Sequence, residues 1–137
     1  MNPIRLILQL FVLLSMFACN NKSNENEFDK TESLKITYTI NREHKVLTVS
    51  DEKKVKEITR SLAIKSTEKG VHFGIDPFGT VEFTLKGGAV IEVFFVRPKT
   101  LEGDQGRIDL KNADFYDKIN KVLSEKEGKR IDVLIDN

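Results

Sequence analysis

Cysteine is all but absent from this chain: Cys19 is the only one in 137 residues. A lone thiol excludes a disulfide framework and a thiolate metal cluster, so the fold must be held by ordinary packing. Histidine is scarce as well, with His44 and His72 alone. Neither has a second histidine at ligand spacing, and both read as polar-turn or strand-packing residues. A field of one sign is also lacking, since 22 basic side chains meet 21 acidic ones. Without that field, and without a Lys/Arg stripe interleaved with aromatics, nucleic acid is not an expected partner. The chain has no Gly-x-Ser-x-Gly elbow and no His-Glu-x-x-His. Gly74 and Gly79 have the spacing of a phosphate loop, but Thr80 stands where that motif needs lysine. No cofactor and no metal site is expected.

Missing too is any apolar run of the roughly 20 residues that span a hydrocarbon core. A shorter one stands at the start. Leu6 to Phe17, interrupted only by Gln9 and Ser15, follows the single basic residue Arg5, and its length falls in the range of about 7–15 residues typical of a signal-peptide h-region. No twin-arginine pair precedes it, which points to the general export route. Small Ala18 then sits directly before Cys19.

These residues resemble the lipobox of bacterial lipoproteins in its looser form, with Met16 and Phe17 upstream and Ala18 in the small position. The resemblance covers only the signal. It implies that 1–18 is a signal peptide, that Cys19 carries a diacylglycerol after cleavage, and that the mature chain is held in the cell envelope by that lipid. Asn20, not aspartate, follows the cysteine, which in lipoproteins of enteric type implies an outer membrane where the cell has one and the cell membrane otherwise. Cleavage would remove Arg5 and no acidic residue, leaving the mature chain formally neutral.

From Asn20 to Ser33 the only large apolar side chain is Phe28. Such a stretch buries too little surface to offset its ordering entropy, so 19–33 reads as lipidated cysteine plus flexible tether, its ends roughly 20 Å apart. The globular domain is then 34–137. Leu34, Ile36, Tyr38 and Ile40 alternate with polar residues as in a strand buried on one side, Asn41 to His44 reads as a turn, and Lys45 to Val49 reads as a second strand. Ser50 is the expected cap of a helix from Asp51 to about Ala63, with Val55, Ile58 and Leu62 on its inner face. After a polar stretch around Lys65 to Gly70, Val71 to Phe73 is a candidate strand, and Gly74 to Gly79, with Asp76-Pro77, is a loop.

Thr80 to Lys86 and Ala89 to Arg97 form the clearest hairpin. A two-residue Gly87-Gly88 loop would place Glu92 opposite Phe83, among Val81, Phe83 and Leu85. A three-residue loop, Gly87 to Ala89, sets Leu85 opposite Ile91, Phe83 opposite Val93 and Val81 opposite Phe95, giving one apolar face. The other face carries Val90, Phe94 and Val96 beside Glu82, Thr84, Lys86 and Glu92. It is either covered by another element or an interaction face. Lys99 to Gly106 reads as a polar loop and Arg107 to Leu110 as a short strand. Glu102, Asp104 and Asp109 do not follow the calcium-loop order and read as a solvated acidic loop. Asn112 should cap a second helix with Phe115, Ile119, Val122 and Leu123 inside and Gly128 past its end. Lys129 to Asn137 is an edge strand or a frayed end.

The expected fold is a single small α+β domain, an antiparallel sheet built around one strong hairpin with two amphipathic helices on one face. The expected function is that of a lipid-anchored envelope binding module with a protein or peptide partner. An exported inhibitor or immunity-like protein is the alternative, and a small hydrolase a third reading.

Overall fold

Alternation places Leu34, Ile36, Tyr38 and Ile40 on the buried side of the first strand, β1 (Thr31–Ile40). The computed structural model describes residues 26–137, so the signal segment 1–18, Cys19 and residues 20–25 lie outside the described residues. Folded structure starts earlier than the sequence indicated. A 3-10 turn, Glu27–Lys30, is capped by the Asn26 side chain and buries Phe28 to 4% exposure against Phe83, ring centres 4.7 Å apart. The segment read as tether therefore ends well before Ser33.

A turn at Asn41 and Arg42, both at positive φ (51° and 66°), joins β1 to β2 (Glu43–Val49), the geometry that matches the twist of a two-residue hairpin. Helix α1 (Glu52–Arg60) is capped by Asp51, which accepts the Lys54 N–H at 2.9 Å. The cap falls one residue beyond Ser50. The helix also stops before Ala63, whose C=O accepts the Lys111 N–H.

The next strand, β3 (Ile64–Lys69), lies where only a polar stretch was expected. It is an outer strand, paired with β7 alone, and five of its six residues are exposed, so it has no alternation to read. Val71 to Phe73 is not a strand. It belongs to the irregular segment that leaves the sheet edge for β4 (Thr80–Leu85), and the Phe73 N–H is met by the Glu102 carboxylate at 2.6 Å instead of by a ladder.

The hairpin of β4 and β5 (Val90–Arg97) closes with a three-residue loop, but over Lys86 to Gly88: the Leu85 N–H donates to Ala89 C=O at 2.8 Å, and Gly87 and Gly88 lie at φ 92° and 90°. Phe83 thus pairs with Ile91 and Val81 with Val93. Pairing is two residues away from the expected register, and a two-residue shift preserves the faces. Val81, Phe83, Leu85, Val93 and Phe95 are all buried. Strand β6 (Thr100–Gly103) was expected as loop, and it turns into β7 (Gly106–Leu110). Within β6, Leu101 and Glu102 are buried; the acidic loop is therefore not a solvated one at Glu102.

All seven strands form one antiparallel sheet in the order β2-β1-β4-β5-β6-β7-β3. Helix α2 (Asp114–Glu127) stacks Phe115 on Phe95 and Phe83, centroids 5.4 and 6.1 Å away, and ends at Gly128 in the left-handed region. The N-cap is Ala113, not Asn112, and makes no side-chain capping bond; Asn112 stands one residue earlier and accepts the Asp114 N–H at 3.1 Å. With α1 against β1 and α2, the chain is a small single-domain α+β fold.

The tail is neither strand nor frayed end. Ile131 and Val133 sit in the core at 2% and 0% exposure, their N–H groups donating to Ser124 Oγ and Asn120 Oδ1. Asp136 accepts the Arg42 N–H through both oxygens, and Asn137 C=O accepts the Asn41 N–H. The last residues thereby hold the positive-φ turn at the far end of β1.

Candidate functional site

Strand β5 outruns its neighbour. Its first pair with β6 is Val93 with Gly103, so Val90 to Glu92 extend past the end of β6. The Leu85 N–H to Ala89 C=O and Phe95 N–H to Gly79 C=O bonds set the phase of the β4–β5 ladder. In an antiparallel ladder successive residues alternate between bonding their partner and facing away. The N–H and C=O of Val90 therefore face away from β4, towards the side that β6 does not reach.

A groove of about 370 Å³ opens there. Val90 to Val93 line one wall, and the β6–β7 turn and the end of β3 line the other. Asn26 to Phe28 close the end where the chain enters the fold. Its apolar floor comes from Phe28, Ile64, Ile91, Val93 and Ile108, with the three isoleucines partly buried against the core. The volume lies at the lower end of binding clefts, about 300–1,000 Å³.

The charges around it are mainly acidic. Glu27, Glu68, Glu92 and Asp104 all line the groove, against Lys69 and Arg107. Arg107 is already engaged, bonded to Asp109 at 2.9 Å and 3.9 Å from Glu68, and the Asp109 bond leads the causes that raise its pKa further. Glu27, Glu92 and Asp104 pair with no cation among the described residues. Glu92 also stands directly opposite Glu82 across β4 and β5, a destabilising juxtaposition of like charges that Lys35, 3.9 Å from Glu82, partly offsets.

Of the residues singled out from sequence, Val90 is 53% exposed at the groove's lip, while Phe94 and Val96 are half-buried. Phe94 lies between Thr80 and Glu102, and a register shift falls at Val96. Cys19 lies outside the described residues. His44 contacts the Thr39 hydroxyl at 3.2 Å, and His72 lies 3.4 Å from the buried Glu102 carboxylate, next to the Phe73 N–H that this carboxylate accepts. Glu102, Asp104 and Asp109 do not converge: one holds the crossing segment, one sits exposed in a turn, one binds Arg107. Among the described residues no cluster of three or more His, Cys, Asp or Glu is arranged to hold a metal ion, and no helix is long and apolar enough to cross a membrane.

Sequence reasoning missed the floor residues Ile64 and Ile108 and the free edge at Val90. The signal available was the length of β5 against the short run from Thr100 to Gly103, and that comparison needs both strands to be known. No protein-family model matches the chain, and neither the curated proteins nor the solved structures contain a significant match.

Proposed function

We propose that this protein is a lipid-anchored cell-envelope lipoprotein, attached through a diacylglycerol on Cys19, whose α+β domain is a binding module for an envelope protein or peptide. The anchor rests on the signal segment and on Ala18-Cys19. Asn20 after the cysteine favours the outer membrane in a cell that has one. The observation that carries the binding reading is the groove beside Val90, with an apolar floor and, among the described residues, an unpaired strand edge and uncommitted carboxylates. It also lies where such an anchor would hold it. Asn26 lines the groove and Phe28 is already core, so only Asn20 to Glu25 separate the lipidated cysteine from the fold. Six residues reach at most about 20 Å, which keeps the groove near the membrane surface.

The test is the intact mass and membrane partition of the precursor expressed in a bacterial host, wild type beside Cys19→Ala. Expected is a membrane-bound wild type cleaved before Cys19 and heavier by a diacylglycerol, with the variant released from the membrane. Release of both at the same polypeptide mass, apart from the substitution, would overturn the anchor.

A further inference from the structure

We propose that the groove seats an extended polypeptide segment of a partner protein in which apolar and basic side chains alternate. This rests on the reading of the domain as an envelope binding module and specifies its partner.

The edge supplies the first requirement. Val90 lies three residues before the first β5–β6 pair, and its peptide groups face the groove. An incoming strand continues the sheet there by main-chain pairing. Successive side chains of that strand point to opposite faces, and the two faces differ here in kind. Beside Ile91 lies the helix-side floor, with Ile108 and Phe28. Beside Glu92 lies the open face, where Glu82 stands opposite it and, among the described residues, Lys35 at 3.9 Å from Glu82 is the one cation paired with either carboxylate. One face asks for an apolar side chain and the other for a cation.

Other occupants fit less well. The acidic lining opposes an anionic bilayer surface. The chain's own residues 20–25 carry one basic residue, Lys22, and no large apolar one.

The experiment uses the mature lipoprotein in nanodiscs of zwitterionic lipid, with empty nanodiscs as blank. Fluorescence anisotropy reads three labelled octapeptides that alternate Lys with Val, Glu with Val, and Lys with Ser. The Lys/Val peptide is expected to bind at least about tenfold more tightly than either control, and more weakly as salt rises. Val90→Pro should weaken it about tenfold or more, since proline at a free edge removes an outward N–H and no ladder bond. Glu92→Lys, at an exposed position, should move the preference towards the Glu/Val peptide and stands even if Val90→Pro fails to fold. Equal binding of all three peptides, or of none, overturns the proposal, as does unchanged Lys/Val binding by both variants. It is overturned equally if the Cys19→Ala chain binds anionic phosphatidylglycerol vesicles and Glu92→Lys strengthens that binding. Failure of the peptide series with Cys19-dependent partition intact removes the groove and leaves the anchor, whereas loss of partition alone removes the anchor.

Discussion

Replacing Phe28 with alanine tests whether the folded domain begins inside the segment that composition marks as tether. The ring is 4% exposed, lies edge-on to Phe83 at 4.7 Å and sits at the floor of the groove. A phenylalanine buries at least about 150 Å², and at about 25 cal/mol per Å² that is roughly 3–4 kcal/mol. Alanine retains the β-carbon while the cavity adds to the loss, so the expected cost is about 3 kcal/mol, at the lower edge of measured Phe→Ala changes in cores. That is a large share of a domain stability of about 5–15 kcal/mol. Urea unfolding of the full chain carrying Cys19→Ala, with and without Phe28→Ala, reads it directly. With a slope of about 1–3 kcal/mol per molar urea, the midpoint should fall by about 1–3 M. A fall of under about 0.3 M would mean that residues 26–30 are not part of the cooperative fold, and the short reach from Cys19 to the groove would fail with it.

Two further outcomes test the frame around the groove. Deleting residues 129–137 removes Ile131 and Val133 from the core, worth roughly 1.5–3 kcal/mol each, and releases the Asn41–Arg42 turn. The domain should lose cooperative thermal unfolding by circular dichroism, and a melting temperature within a few degrees of the parent would refute the tail's role. At the C-terminal end of α2, burial first and then the Glu127 hydrogen bond push the Tyr38 pKa up to about 12. The same bond leads the causes that hold Glu127 below the ordinary carboxyl value. A raised tyrosine pKa contributes stability that is complete below the unfolded value near 10 and is lost as pH rises through about 12; a lowered carboxyl contributes stability present above its ordinary value and lost as pH falls. Tyr38→Phe should therefore destabilise most between about pH 5 and pH 10, and a urea-midpoint difference that stays flat from acid to alkali would refute the pairing.

Amino-acid sequence alone determined the elements whose pattern is complete within themselves. Alternation of Leu34, Ile36, Tyr38 and Ile40 describes β1, the faces of β4 and β5 follow from keeping Glu92 away from Phe83, and Gly128 marks the end of α2. Each is local, because a period or a cap needs only a few neighbouring residues. The site was legible only at Val90, an apolar residue on the less apolar face of the hairpin. Tertiary structure decided the rest. Ile64 to Lys69 becomes a strand because β7 pairs with it, and Thr100 to Gly103 because β5 and β7 flank it, while neither carries enough alternating apolar residues to announce itself. Glu102 is buried in a strand because a backbone N–H and a histidine from a distant segment meet its carboxylate. Phe28 stands alone among polar residues, and the alternation of Ile131, Val133 and Ile135 fits an edge strand as well as a frayed end; Phe28, Ile131 and Val133 enter the core only once the sheet and helices offer a surface to cover. The groove belongs to this second class: a gap between strands of unequal length exists only after their pairing is settled.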